Sequence, residues 1–475
     1  MQYNLPTKVI NTLLTLQKSD YQAYIVGGAI RDLLTNKSVY DWDFTTDATP
    51  DQIKKLFPKS FYDNSFGTVG IPIPIKNKKD KYEIYEITTF RTETNYQDKR
   101  HPQKVSWGKS LDQDLQRRDF TINAMAAKLT DNKLKIDKKE KDNPPKKVTL
   151  TIIDPHAGQY DLQNKLVKTV GNPNKRFTED ALRMIRAIRI ATQLGFTIDQ
   201  QTFLAISKNA QSITHISAER VRDELIKILK SDHPADGLML LKNSLLLSHI
   251  IPELEEGYGL EQKGHHIYDV FTHSIKSLQF CPSDKWLVRF ATLIHDIAKP
   301  QVVKGEGEDK TFHNHEVTGA FLAKDIAKRL KFTKDDTQRL FILVRWHMFS
   351  VSEFLSDAAI RRFIKRVGKE NIEDIINIRI GDRLGGGCKT ETSWRLKKFL
   401  KRVQEVQKHT PSVHDLKVSG YDVMKILNIP PSKKVGEVME QLFDQILEDP
   451  KNNTKKNLLK KIEEFKKSPP PSSNN

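Results

Sequence analysis

The chain reads as an α+β protein, with a small mixed head followed by an extended all-α neck, body and tail. Three observations predict this. Four strand-like runs fall within the first 90 residues, mixed with helical periodicity. From about residue 176 the apolar spacing is helical almost to the end. A lysine-rich break at 131–149 separates the two regimes.

Residues 1–20 predict an amphipathic helix, with Val9, Ile10, Leu13, Leu14 and Leu16 at helical spacing. AYIVGG, 23–28, predicts a strand running into a glycine turn, and YDWDFTT, 40–46, a second strand with strict alternation. Runs at 68–75 and 82–90 give two more strands, joined by a lysine-rich turn at 76–81. Mixed elements of this kind suggest an α+β or α/β head of about 150 residues. The break at 131–149 holds seven Lys and Pro144-Pro145, which suits a solvated loop or a hairpin insertion. Residues 451–467 carry seven Lys against two Glu, and the closing SPPPSSNN reads as disordered. No repeat of fixed period is visible.

A length of 475 residues suggests roughly three domains. Lys plus Arg is 78 and Asp plus Glu is 60, a formal net charge of +18. Such a balance suits a polyanionic partner, nucleic acid first, although a generally lysine-rich proteome gives the same bias. Two cysteines, Cys281 and Cys388, exclude a disulfide scaffold and argue against a cysteine-based zinc site. The N-terminus has no charged start followed by an apolar run, and no apolar stretch approaches the ~20 residues of a membrane span. The expectation is a cytoplasmic protein with no membrane partner.

Gly27 and Gly28 end one strand, and AIRDLL opens a helix. Glycines let backbone approach a phosphate, and a helix N-terminus offers free N–H donors. Asp41 and Asp43 follow, two apart on a predicted strand, so both carboxylates point to one face. Paired carboxylates repel unless a divalent cation lies between them, and with substrate phosphates they suit Mg²⁺. A lone D-x-D is more often a turn or strand end; its position 13 residues after a GG turn sharpens the reading. Glu86 is a third candidate carboxylate, and Glu83, on the opposite strand face, is its rival.

These residues resemble the nucleotidyltransferase superfamily in its bacterial-type (class II) tRNA CCA-adding and poly(A) polymerase branch. GGAIRD and DWDFTTDATP carry the resemblance first. It continues in order through TTFRTETNYQDKRHP at 88–102, DLQRRDFTINAMA at 114–126 and DPHAGQYDL at 154–162. EDALRMIRAIRIATQLGF at 179–196 and ISAERVRDEL at 216–225 complete about 200 residues of matching blocks.

Arg117, Arg118 and Asp119 sit ahead of an amphipathic run. An arginine pair suits a solvated helix end as well as a phosphate ligand. The resemblance implies triphosphate and ribose contacts for Arg117, Arg118, Asp119 and Asn123, and puts Gly27, Gly28 and Arg31 at the nucleotide. Glu179, Asp180, Arg183, Arg186 and Arg189 fall at spacings that share a helix face, which also suits intrahelical ion pairs. The resemblance implies that Asp180 and Arg183 template the incoming base, with Arg186 and Arg189 beside them. Cytosine and adenine each present an amino donor next to a ring-nitrogen acceptor. A carboxylate and a guanidinium match that edge, whereas uracil and guanine would set a carbonyl against the carboxylate.

His273, His295-Asp296, His313, His315, His347 and Asp382 form an ordered set in the helical body. Single histidines in helices are mostly core or surface residues. The set resembles an HD phosphohydrolase domain, which implies His273, His295, Asp296 and Asp382 as core metal ligands and His315 and His347 as extra ones. Lys299 is placed to hold a phosphate.

The resemblance implies domains at 1–154 (catalytic head), 155–265 (nucleotide-reading and RNA-binding neck and body), 266–390 (HD) and 391–467 (tRNA-binding tail), with 468–475 disordered. It implies template-independent addition or repair of the tRNA 3′-terminal CCA from CTP and ATP, with Mg²⁺ at the head. The HD cluster would take a divalent transition metal such as Ni²⁺ or Mn²⁺, with a phosphohydrolase side activity. Partners would be tRNA, CTP and ATP, in a monomer or homodimer. Alternatives are a poly(A) polymerase, a CC-only or A-only enzyme, and a metal phosphohydrolase whose head only binds RNA.

Overall fold

The computed structural model describes the chain except for residues 63–66, 76–80, 97–101, 108–109, 131–133, 135–143, 263–266, 353–354, 410–412 and 468–475. The lysine-rich turn at 76–81, most of the break at 131–149 and the terminal tail thus lie largely outside the described residues. The chain forms two compact units, Met1–Glu255 and Glu256–Asn475.

Among the described residues of the first unit, ten strands come early: β1 (Gln2–Pro6), β2 (Ala23–Val26), β3 (Asp43–Thr46), β4 (Phe61–Tyr62), β5 (Thr68–Pro74), β6 (Tyr82–Thr89), β7 (Arg91–Tyr96), β8 (Pro102–Trp107), β9 (Ala126–Leu129) and β10 (Pro145–Ile153). Eight of them form one sheet, ordered β1-β10-β9-β2-β3-β6-β5-β4, while β7 and β8 make a separate antiparallel pair. All pairs in the large sheet are antiparallel except β3–β6. That parallel pair sets Asp43 beside Glu86.

Several expectations need correction. The first 20 residues are not one helix: Gln2–Pro6 pairs with β10, and the helix is Thr7–Gln17. Edge pairing captures the polar start, and the Thr7 hydroxyl donates to Pro144 O at 2.7 Å. The strand expected at 40–46 begins only at Asp43, so Asp41 precedes it and is exposed. Part of the lysine-rich break is strand β10, whose Val148 and Leu150 face the core. The β7–β8 pair lacks the apolar alternation that would mark it in the sequence.

Beyond the head the unit is helical, apart from the two-residue parallel pair β11 (Leu166–Val167) and β12 (Thr197–Ile198). The helix Leu182–Leu194 buries Met184, Ile185, Ala187, Ile188, Ile190 and Ala191, while Arg183, Arg186 and Arg189 occupy its other face. Gly195 ends it in the left-handed region, φ +66°.

The second unit is helical among its described residues. The helices Val270–Gln279, Trp286–Ile294 and Ile372–Gly385 pack together. A separate cluster including Val423, Val438, Leu442, Ile446, Leu458 and Ile462 forms the core of the final helices. Among the described residues, no helix is long and apolar enough to cross a membrane.

Candidate active site and metal cluster

Asp43 begins β3, and Glu86 is its neighbour on β6, with the Glu86 N–H donating to Trp42 O at 3.2 Å. Glu83 lies farther along β6, opposite Ile73, so geometry places Glu86 rather than Glu83 beside Asp43. Gly27 holds φ +73°, and a β-carbon there would meet Asp43 Oδ2 at 3.3 Å and Arg118 NH1 at 3.4 Å. Burial lifts the Asp43 carboxyl above its ordinary range; Arg118 pulls it down and the Asp41 charge adds to the rise.

Asp43 and Glu86 line a polar cavity of about 350 Å³ together with Arg117, Arg118, Asp119, Asp180, Arg183 and Arg186. Asp119 anchors its floor. Its Oδ2 accepts from Arg186 Nε at 3.0 Å and NH2 at 2.6 Å, and its Oδ1 accepts from the Phe120 N–H at 2.9 Å. Burial opposes the charge, but Arg186 overcomes it and holds the Asp119 carboxyl at about 2.

The expectation that 179–189 forms one helical face is corrected. Helix Pro173–Glu179 ends before Asp180, whose φ of −144° and ψ of 107° are extended, and the next helix starts at Leu182. This break turns Asp180 into the cavity, which a continuous helix would not do. Its Oδ1 accepts from the Leu182 N–H and its Oδ2 from Arg220 NH2, each at 3.0 Å. Arg183 donates to Glu179 Oε2 at 2.8 Å and to Arg117 O at 3.1 Å. Arg118 Nε and Arg220 NH1 are buried without a hydrogen-bond partner, as donors awaiting a ligand would be.

Not every expected residue reaches this cavity. Arg31 and Arg189 line a neighbouring one of about 530 Å³. Arg31 joins the first cavity through Asn123: its NH1 lies 3.1 Å from Asn123 Oδ1, and Asn123 Nδ2 lies 3.5 Å from Asp119 Oδ1. Gly28 opens helix Gly28–Leu34, facing Arg31. Arg189 pairs with Glu224 at 2.8 Å. Sequence reasoning missed Arg220 and Asp114. Both lie inside the quoted blocks, but their charges there look like ordinary polar positions of amphipathic helices.

The second unit gathers His273, His295, Asp296, His315, His347 and Asp382. Adjacent residues on a continuous helix project in different directions, so His295 and Asp296 could not both face one point there. The helix instead ends at Ile294, and the turn that follows brings His295 Nε2 within 3.2 Å of Asp296 Oδ2. His273 Nε2 lies 3.4 Å from Asp296 Oδ2 and 3.3 Å from Asp382 Oδ1. Asp296 Oδ1 faces His315 Nε2 at 3.2 Å and His347 Nε2 at 3.8 Å. Asp296 therefore belongs to two ligand groups, one with His273 and His295 and one with His315 and His347. Lys299 Nζ is 2.6 Å from Asp296 Oδ2.

The tautomers fit metal ligation. The Nδ1 atoms of His295, His315 and His347 lie 2.7, 2.8 and 2.7 Å from the carbonyls of Thr292, Phe312 and Val344. A carbonyl only accepts, so each Nδ1 carries hydrogen and each Nε2 is the atom directed inward, a lone-pair donor to a metal when the ring is neutral. The Nε2 atoms of His315 and His347 are buried without hydrogen-bond partners. Burial opposes a charge on His295, but Asp296 and Asp382 raise it to about 10; burial and the His295 charge push His347 down to about 3. Such a divided cluster is what a divalent cation would neutralise.

A carboxylate pair on parallel strands, faced by arginines, defines a nucleotidyltransferase-type head, and the second cluster defines an HD-type centre. Family models match in the same order: "Poly A polymerase head domain" over 23–168, "Probable RNA and SrmB-binding site of polymerase A" over 195–257, "HD domain" over 242–384, and "tRNA nucleotidyltransferase domain 2 putative" over 346–462. The A-adding tRNA nucleotidyltransferase of Deinococcus radiodurans is 31% identical over 438 residues, covering 89% of this chain and 91% of that protein. The chain belongs to the tRNA nucleotidyltransferase family and carries an HD domain. The CCA-adding enzyme of Geobacillus sp. (strain WCH70) is 42% identical over 244 residues, 51% of this chain. The chain spans about half the length of that relative, 54%. Among solved structures, the Bacillus stearothermophilus CCA-adding enzyme in complex with CTP superposes with a TM-score of 0.68 at 25% identity, covering 97% of this chain and 96% of that one.

Proposed function

We propose that this chain adds or repairs the 3′-terminal CCA of tRNA, using CTP and ATP and releasing pyrophosphate. The observation that carries the reading is the single cavity in which Asp43 and Glu86 face Asp180, Arg183 and Arg186. One wall suits phosphoryl chemistry and the other suits reading a base edge, so no nucleic-acid template is required. Likeness to the CTP-bound structure supports nucleotide binding.

Asp43, Glu86 and the exposed Asp41 are hard oxygen donors that fit Mg²⁺. When bound, Mg²⁺ supplies charge neutralisation at the attacking and leaving oxygens. Arg117 and Arg118 bind the triphosphate, and Asp119 fixes Arg186. Asp180 accepts from the base amino group and Arg183 donates to the ring nitrogen. Arg31, Asn123 and Arg189 act behind this layer, and Gly27 and Gly28 let the backbone approach. The HD cluster would hold a divalent transition metal such as Ni²⁺ or Mn²⁺, which would supply Lewis-acid chemistry for phosphate-ester hydrolysis, with Lys299 beside the ester. The basic tail, 391–467, binds the tRNA backbone, the chain acts in the cytoplasm, and it works as a monomer or homodimer.

A second reading is A-only addition, favoured by the likeness to the Deinococcus A-adding enzyme over 91% of its length. Two tRNA transcripts decide between them, one lacking all three terminal nucleotides and one lacking only A. CCA addition predicts that CTP alone extends the first by two nucleotides and that CTP with ATP completes it. An A-only enzyme extends only the second. A long A ladder on either transcript would indicate a poly(A) polymerase, and loss of phosphate without extension a hydrolase.

A further inference from the structure

Asp114 carries a fully buried carboxylate on helix Leu111–Gln116, behind the cavity wall. Its Oδ1 accepts from Arg117 Nε at 3.0 Å and NH2 at 2.6 Å. Its Oδ2 accepts from Arg118 NH2 at 3.3 Å and from the Thr45 hydroxyl at 3.4 Å. Thr45 stands two residues after Asp43 on β3, and its hydroxyl also lies 3.2 Å from the carbonyl of Thr88, two residues after Glu86 on β6. One buried anion therefore ties both arginines to the strand that bears Asp43, through a hydroxyl that also lies beside the strand of Glu86.

Two adjacent guanidiniums repel, and long arginine side chains lose freedom when held. Asp114 offsets both costs before any ligand arrives. Two cations on one anion leave one net positive charge directed at the cavity. Arg118 also approaches Asp43, since a β-carbon at Gly27 would sit within 3.4 Å of both. A divalent cation at Asp43 would weaken that attraction, whereas the bond to Asp114 lies behind the wall and would persist. The burial cost of Asp114 is overcome by Arg117 and Arg118, which hold its carboxyl below the ordinary range.

We infer that Asp114 is a positioning residue that presents Arg117 and Arg118 as a preset anion-binding pair for the triphosphate of the incoming nucleotide. This rests on the proposed reading that the cavity takes a nucleoside triphosphate. The pair then meets the phosphates without reorganising, which is where preorganised charge contributes most.

The test compares CTP and CMP binding to the full chain with Mg²⁺, by calorimetry, in the unaltered protein and in Asp114→Asn. Asparagine keeps the shape but removes the charge. The expected result is a CTP Kd raised about tenfold and a CMP Kd changed less than about twofold, because CMP does not reach the paired arginines. In an Arg117→Ala background, Asp114→Asn should add less than it does alone. Equal losses for CTP and CMP, or full additivity, would overturn the positioning role. If Asp114→Asn does not fold, Thr45→Val is measured instead and should shift CTP in the same direction more weakly; no CTP-selective shift there also overturns it. Failure of the unaltered protein to bind CTP or ATP removes both this inference and the function it rests on.

Discussion

Arg220 closes on Asp180. Its NH2 lies 3.0 Å from Asp180 Oδ2, while the other carboxylate oxygen accepts the Leu182 N–H at 3.0 Å. Both oxygens are thus fixed as acceptors on the wall of a cavity of about 350 Å³. An amino group can pair there, and a carbonyl cannot.

Asp180→Ala and Arg183→Ala should therefore damage base choice more than chemistry. UTP and GTP incorporation should rise relative to CTP and ATP by about tenfold or more, as expected when a site built for one hydrogen-bond pattern loses it. Single-nucleotide incorporation with each of the four triphosphates measures this. Unchanged ratios in both variants would remove the templating role.

Asp43→Ala should abolish nucleotide addition and leave tRNA affinity within a few-fold, because affinity is spread over many basic contacts. Asp41 is exposed and outside the strand, so Asp41→Ala tests whether it shares the metal. Retention of more than a few per cent of activity would take Asp41 out of the site. Filter binding beside a primer-extension assay separates affinity from chemistry.

The place of Asp43 at the head of a strand was legible from strand period and the preceding glycine turn, but the expected partnership of Asp41 on the same strand face was not met, since the strand begins only at Asp43. What was not legible depends on partners. The choice of Glu86 over Glu83 follows from the β3–β6 register, which one strand alone does not set. The inward turn of Asp180 follows from a helix break that apolar periodicity conceals, since Phe177, Ala181, Met184 and Ile188 bury at the i, i+4, i+7 and i+11 spacing of one continuous helix. Asp114 and Arg220 look like surface charges until their partners fold around them. At the HD cluster the candidate residues were legible as an ordered set, but not the shared position of Asp296.

That shared position gives the next expectation. Asp296→Ala should remove all transition-metal binding, whereas His315→Ala should lose only part of it, because His273, His295 and Asp296 remain together. Neither substitution should alter CCA addition. Metal analysis by mass spectrometry after dialysis against Ni²⁺ or Mn²⁺, with cyclic-phosphodiester hydrolysis as the activity readout, checks both. Equal metal content in His315→Ala and the unaltered chain would remove His315 from the ligand set.

Gly158 shows how tightly the segment bearing Asn123 is held. A β-carbon there would lie 2.3 Å from Thr121 O, and the Thr121 hydroxyl donates to the buried Asp161 at 2.6 Å. Gly158→Ala must push Thr121 away, with a cost of about 2 kcal/mol from overpacking. Urea unfolding should show a lower midpoint, and nucleotide affinity should fall as Asn123 shifts. A midpoint unchanged within error would mean that the helix Gly158–Gln163 moves instead.

Acid should loosen the cavity through Asp119. Its folded carboxyl titrates at about 2, against an ordinary value of 3.8. The folded value is depressed, so the stabilisation is complete above the unfolded value. It is lost as pH falls from about 4 towards 2, where the unfolded chain takes up the proton first. The difference corresponds to roughly 2 kcal/mol at neutral pH. Asp119→Asn removes the titrating charge and leaves Arg186 facing an amide. The variant should be less stable than the unaltered chain at pH 7, and the gap should narrow below about pH 4. Denaturant midpoints at pH 7, 4 and 3 measure it. A gap that stays constant over this range would show that the Asp119–Arg186 pair does not stabilise the head through its charge.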